Sequence, residues 1–300
     1  MNIASPHIVD SVASDYASRL VARLAPLARY DGLSPTAIDG VSLVSSCSSR
    51  HREPLIYDAG LMVVVQGGKI GYLGEREIHY GAGHYLVQAM PLPFECETVV
   101  KDNEPLLGLK IKLDRLMLGE LVAQLPSSEL KSTPDPMAAV PIDRAVGEAL
   151  LQLTECFTDT TLCRALAQSR LREVIFAVLR GPQGESLRRL VVDRGHYLRI
   201  AEALDYIEAH YTEQISIERL AQTANMSTSH FHHHFKETTR LSPLQYLKRL
   251  RLLKARALLA EGGRQVAQVS LAVGYHSNSQ FSREYKQYFG CSPAQVLVAG

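Results

Sequence analysis

No stretch of the 300 residues approaches 18 consecutive apolar positions, so no membrane-spanning helix is expected. The opening MNIASPHIVDSVASDY lacks a basic start followed by an apolar core, so no secretory signal is expected either. The five cysteines (Cys47, Cys96, Cys156, Cys163 and Cys291) are odd in number and form no CxxC pair. That argues against a disulfide framework and for reduced thiols in a cytoplasm. Charge of one sign is scarce overall: 32 Lys and Arg against 31 Asp and Glu leave +1. With 46% hydrophobic and 21% charged residues, the balance is that of a soluble globular protein, which excludes a disordered or fibrous chain. The length suits about two domains.

The near-zero net charge hides an asymmetry. Residues 196–300 carry +4 and residues 1–195 carry −3, which makes the back half the candidate for an anionic partner. Val9, Val12, Tyr16, Leu20, Leu24 and Leu27 recur at helical spacing over about 9–28. A loop with Gly32, Pro35 and Gly40 follows. Strand-like runs then appear at 41–45, 61–66, 69–73, 77–80, 84–89, 94–99 and 106–113, with Gly67-Gly68 as a hairpin signal. About seven short strands suggest a β-barrel or jelly-roll sandwich. Helices are expected at 114–124, 142–157, 164–180 and about 185–193, with the proline-bearing 125–141 as a loop. The broad apolar surface of 164–180 calls for a partner, either the barrel or a second subunit. From 198 onward the pattern is helical. The organisation reads as α+β: an N-terminal helix (1–36), a barrel with a helical dimerisation segment (37–195) and an all-α domain (196–300).

The strongest feature is an internal repeat. STSHFHHHFKETTRLSP (227–243) and SNSQFSREYKQYFGCSP (277–293) share Ser-x-Ser-x-Phe-x3-Phe/Tyr-Lys-x5-Ser-Pro, in register at an offset of 50. A repeated pattern of this kind marks a duplicated supersecondary unit. In each copy a short helix precedes a tight turn, Asn225-Met226 or Gly274-Tyr275-His276. A serine then caps a second helix that buries Phe231 and Phe235, or Phe281 and Tyr285. These are two helix-turn-helix units, at about 216–237 and 264–287. Between them Ser242-Pro243 starts a helix that Gly262-Gly263 stops. At roughly 28 Å it sets two reading helices about one DNA turn apart.

Residues 197–297 resemble the DNA-binding domain of the AraC/XylS family of bacterial transcription regulators. The stretches that carry this are MSTSHFHHHFK, SPLQYLKRLRLLKARALL and VGYHSNSQFSREYKQYFGCSP. Residues about 40–190 resemble a cupin-like N-terminal subclass, through YDAGLMVVVQGGKIGYLGEREIHYGAGHYLV, PLPFECET and LREVIFAVLRGPQG. They look most similar to activators of aldehyde-reductase genes. The resemblance implies a regulator, an activator, that binds promoter DNA as a homodimer, engages RNA polymerase and answers to a small molecule. By position it implies base contacts from Ser229, His232, His233, Asn278, Ser279, Gln280, Ser282 and Arg283. It implies phosphate contacts from Lys236 and Lys286 and from the helix starts at Ser227 and Ser277. His232-His233-His234 occupies a stretch where the family more often carries an arginine, so the target sequence does not transfer.

His230 and His234 stand at i, i+4, a metal-site spacing, but no third ligand is evident nearby. The barrel region has only His79 and His84, without the clustered ligands of a cupin enzyme. No metal, cofactor or catalytic role is therefore expected. If FECETV is a strand, Phe94, Cys96 and Thr98 share one face. Cys96 is then either a buried inert thiol or a sensor of an aldehyde or other electrophile. Flanking Glu95 and Glu97 should raise its pKa unless a cation approaches from elsewhere. Two rival readings remain: a non-specific architectural DNA binder and a cupin-type metal enzyme.

Overall fold

The computed structural model describes residues 11–101, 104–126, 134–192 and 195–299. Helix α1 (Ser11–Leu24) turns Ala13, Tyr16, Ala17, Leu20 and Leu24 inward, and Val9 lies outside the described residues. Among the described residues, ten antiparallel strands form two sheets. The larger sheet runs in the order β1 (Gly32–Pro35), β2 (Val41–Ser46), β9 (Leu106–Lys112), β4 (Gly60–Gln66), β7 (His84–Gln88), β10 (Met137–Pro141). The smaller runs β3 (Arg50–Tyr57), β8 (Leu92–Val99), β5 (Gly68–Leu73), β6 (Arg76–Gly81). Central strand β4 is buried at nearly every position, because both its faces are covered. In β5 and β8 burial alternates, which gives each one interior and one outer face.

The count of about seven strands is thus corrected. The three that the sequence pattern did not show, β1, β3 and β10, are edge strands. Each carries a proline, Pro35, Pro54 or Pro141, which a ladder tolerates only where one side goes unpaired. The Gly67-Gly68 hairpin is also corrected. β4 pairs with β7 and β9, whereas β5 pairs with β6 and β8, so the two glycines carry the chain from one sheet to the other. Gly67 has φ +73°, and a Cβ there would sit 3.0 Å from Leu106 Cα.

Helices α2 (Arg115–Val122), α3 (Arg144–Glu155), α4 (Thr160–Arg180) and α5 (Gly184–Val192) cover this domain. Asp114, Asp143 and Asp159 cap the first three through their carboxylates. The cap at Asp159 starts α4 four residues ahead of the periodic run. Its apolar side, Leu171, Val174, Ile175, Val178 and Leu179, is used up inside the chain. None of the large exposed hydrophobics among the described residues lies on α3 or α4. Leu166 and Phe176 of α4 remain half-buried.

Seven helices complete the described residues: α6 (His196–His210), α7 (Ile217–Thr223), α8 (Thr228–Thr239), α9 (Pro243–Ala260), α10 (Val266–Ala272), α11 (Asn278–Phe289) and α12 (Pro293–Ala299). Their apolar residues divide. Those of α6, α7, α8 and the first half of α9 join the core of the sheets in one continuous cluster. Leu252, Ala255, Leu259, Val269, Val273, Tyr275, Phe281 and Tyr285 form a second, separate one. Among the described residues no helix is long and apolar enough to cross a membrane.

Candidate nucleic-acid interface and sensor interior

The two repeat copies fold alike, and local chemistry explains how. In the first, α7 ends and Asn225 takes a left-handed φ of +49°, a conformation Asn tolerates. The Met226 amide returns to Ala221 O at 2.9 Å, which closes the turn. Ser227 then caps α8, its Oγ accepting from the His230 amide at 3.4 Å. In the second, Gly274 takes φ +84°, Tyr275 N donates to Ser270 O at 3.0 Å, and Ser277 Oγ accepts from Gln280 N at 3.3 Å. A Cβ on Gly274 would stand 2.6 Å from Thr212 O, so glycine is required twice over, by φ and by space. Phe231, Phe235, Phe281 and Tyr285 are fully buried and anchor the two second helices.

That burial fixes what faces outward. Ser229, His232, His233 and Lys236 are exposed on α8, as are Asn278, Ser279, Gln280, Arg283 and Lys286 on α11; Ser282 is half-buried. The cap serines Ser227 and Ser277 are exposed too, with a hydroxyl hydrogen left to donate. Ser229, His232, His233 and Lys236 line one open groove with Glu237 and Arg240. The Gln280 amide is engaged within the chain, donating to Glu284 Oε1 at 3.2 Å. Burial pushes Glu284 up, but hydrogen bonds from Gln280 and Tyr275 and the Lys248 ammonium outweigh it and hold the carboxyl below the usual glutamate value.

Helix α9 joins the units. Ser242 and Gln245 form a capping box at its start, and its 18 residues span about 27 Å. Gly262 and Gly263, both at positive φ, end it. It also touches the sheets. Tyr246 Oη donates to Pro91 O at 2.8 Å, and Arg256 pairs with Glu53 on β3. Arg256 lies over the Phe289 ring at the end of α11, 5.2 Å from its centroid. A third link, Arg115 with Asp205, ties α2 to α6.

Inside the sheets, Phe94, Cys96 and Thr98 share the buried face of β8. Cys96 is 3% exposed, and its Sγ lies 3.7 Å from Tyr80 Oη. The cation the sequence left open is Lys69, itself buried, whose Nζ donates to Thr98 Oγ1 at 3.1 Å. Burial pushes the Cys96 thiol up, Lys69 and Tyr80 pull it partly back, and Glu53 adds to the rise. The expectation that Glu95 and Glu97 act on it is corrected. Glu95 pairs with Arg52, and Glu97 accepts from Tyr72 Oη at 3.2 Å; strand alternation puts both on the opposite face of β8. Cys47 is exposed, Cys156 is buried, and Cys163 and Cys291 are intermediate. His79 is beside Glu77 and His84 against Ala82 O, each an exposed local contact. One group of metal-type ligands converges among the described residues, and it lies on α8: His233, His234 and Glu237. The group contains His234 but not His230, and its third member, Glu237, follows His234 at i, i+3, a spacing visible in the sequence.

Comparison with known proteins places these features in a family. Residues 37–186 match the family described as AraC-type transcriptional regulator N-terminus, and residues 220–298 match a helix-turn-helix domain. The HTH-type transcriptional activator RhaS of Escherichia fergusonii is 29% identical over 156 residues, 52% of this chain and 55% of the relative. RhaS of Enterobacter sp. (strain 638) is 32% identical over 98 residues, 33% of this chain and 35% of the relative. The chain thus spans about half or less of the length of these relatives. An apo variant of ToxT from Vibrio cholerae shares the fold, with TM-score 0.59 at 10% identity over 90% of this chain and 99% of that one. Since the N-terminal match alone takes in half of the residues, the chain belongs to the AraC-type transcriptional regulators.

Proposed function

We propose that this chain is a sequence-specific DNA-binding activator of transcription that works on bacterial promoters as a homodimer and answers to a small molecule taken up by its N-terminal domain. The observation that carries the reading is the pair of serine-capped helices, α8 and α11, whose outer faces are polar and exposed while their aromatic faces are buried. A protein helix that enters a major groove needs such a face. In this reading Ser229, His232, His233, Asn278, Ser279, Gln280, Ser282 and Arg283 meet base edges. Lys236, Lys286 and the helix starts at Ser227 and Ser277 hold phosphates. Gln280, which donates one amide hydrogen to Glu284, keeps the other hydrogen and its carbonyl oxygen for a base edge. RNA polymerase is the partner that activation requires, and the cytoplasm is where promoter and polymerase meet. The relatives named as activators support the sign of regulation.

For the effector, the interior around Cys96, Lys69 and Tyr80 is the sensing site in this reading, and an aldehyde or related electrophile is its ligand. Protection footprinting upstream of this gene and its neighbours, at physiological salt, tests both parts. A discrete footprint of about two turns per protomer supports the regulator. A response to small aldehydes that Cys96→Ser abolishes supports the sensor. Sequence-blind protection with a steep salt dependence refutes the regulator in favour of an architectural binder. Light scattering of the free and DNA-bound chain tests the dimer.

A further inference from the structure

His233, His234 and Glu237 occupy one turn of α8, and their ligating atoms all lie within 4.8 Å of one another. His234 Nδ1 and Glu237 Oε2 are 3.3 Å apart. A tetrahedral zinc ion with bonds of about 2.0–2.1 Å spaces its ligand atoms about 3.3 Å apart, so one edge of the site is already set. The His233 ring is exposed and closes the remaining gap by side-chain rotation between staggered wells. His233 and Glu237 stand at i, i+4 and therefore on one face. The His196 ring of α6 stacks on His234 at 3.7 Å with an interplanar angle of 12°, which fixes the plane of that ligand. Two imidazoles and one carboxylate with an open fourth position suit zinc. Calcium and magnesium would call for oxygen ligands. The second copy has no such site: at the offset of 50, the three positions are Arg283, Glu284 and Gln287.

We propose that α8 carries a zinc site built from His233, His234 and Glu237, and that zinc and DNA compete for it. The ion takes the His233 ring nitrogen that a base edge would use, so it disables the first reading helix and leaves the second intact. The site stands on geometry alone; the competition rests on the DNA-binding reading above.

The test uses the full chain, free of any affinity tag. Cobalt(II) absorption reports tetrahedral binding, and zinc competition gives the affinity. Wild type, His233→Ala, Glu237→Gln and the control His230→Ala are compared, with circular dichroism to confirm folding. Wild type and His230→Ala should bind one ion per chain. The other two variants should lose affinity by about tenfold or more. Zinc should weaken binding to a footprinted DNA fragment for wild type and leave Glu237→Gln unaffected. Absence of a tetrahedral cobalt spectrum, or wild-type affinity in both His233→Ala and Glu237→Gln, overturns the site. Zinc binding without any change in DNA affinity overturns the competition. A chain that binds zinc but no DNA refutes the DNA-binding reading and the competition together, while the zinc site stands.

Discussion

Phe231 and Phe281 are equivalent by the repeat and equally buried, yet they belong to different cores. Replacing either by alanine removes a full aromatic side chain and leaves a cavity, a loss of about 3–5 kcal/mol. The consequences should differ. Phe281 sits in the small cluster of α10, α11 and the far half of α9. Its loss should raise the local opening of residues 266–299 by about 10²–10⁴-fold, at a tenfold change per 1.4 kcal/mol. The sheets should keep their protection. Phe231 lies in the cluster that runs through α6 and α9 into the sheets, so Phe231→Ala should lower the thermal midpoint of the N-terminal domain as well. Hydrogen exchange by mass spectrometry, segment by segment, together with calorimetry, separates the two. Equal loss of protection in β4, β7 and β9 for both variants would refute the division into two cores.

Gly274→Ala should destabilise the second unit by about 1–3 kcal/mol through its positive φ and the contact with Thr212 O. Asn225→Gly in the matching turn should change stability by less than that, as paired thermal melts will show. On a footprinted fragment, Arg283→Ala should cost about 1–3 kcal/mol and relax preference at one base position, whereas Lys286→Ala should weaken all sequences alike and reduce the salt slope by about one. A Lys286→Ala protein with unchanged slope would remove that lysine from the phosphate set. Because burial raises the Cys96 thiol, its thiolate fraction near neutrality is lower than a free cysteine's. Alkylation of the native chain at Cys96 should be slow there and accelerate only at higher pH than for a free thiol. Faster labelling of Cys96 than of free cysteine at neutral pH would show that burial does not govern the site.

The helix-turn-helix pair was legible because its determinants are local: capping serines, aromatics four apart and a turn that tolerates left-handed backbone, all repeated at one offset. The inward set Phe94, Cys96 and Thr98 was legible from alternation alone. The edge strands β1, β3 and β10 were not, because Pro35, Pro54 and Pro141 argue against strand when the sheet position is unknown. Nor was the environment of Cys96. Its neighbours in sequence, Glu95 and Glu97, point away, and its neighbours in space, Lys69, Tyr80 and Glu53, come from three other strands. Glu237 was legible too, since it follows His234 by three residues and so falls on the same side of a helix.

Helix α9 belongs to both cores at once, with Tyr246, Leu247 and Leu250 in one and Leu252, Ala255 and Leu259 in the other. It acts as a lever arm. A tilt of about 10° at its Tyr246 end carries the other end of its 27 Å length about 5 Å, more than the 3.4 Å rise of one base step. Arg256 lies ten residues, about 15 Å, beyond Tyr246, so a shift of about 3 Å at its contact with Glu53 on β3 corresponds to that tilt. In the proposed function, a rigid helix rather than a flexible linker would join the sensing domain to the second reading helix.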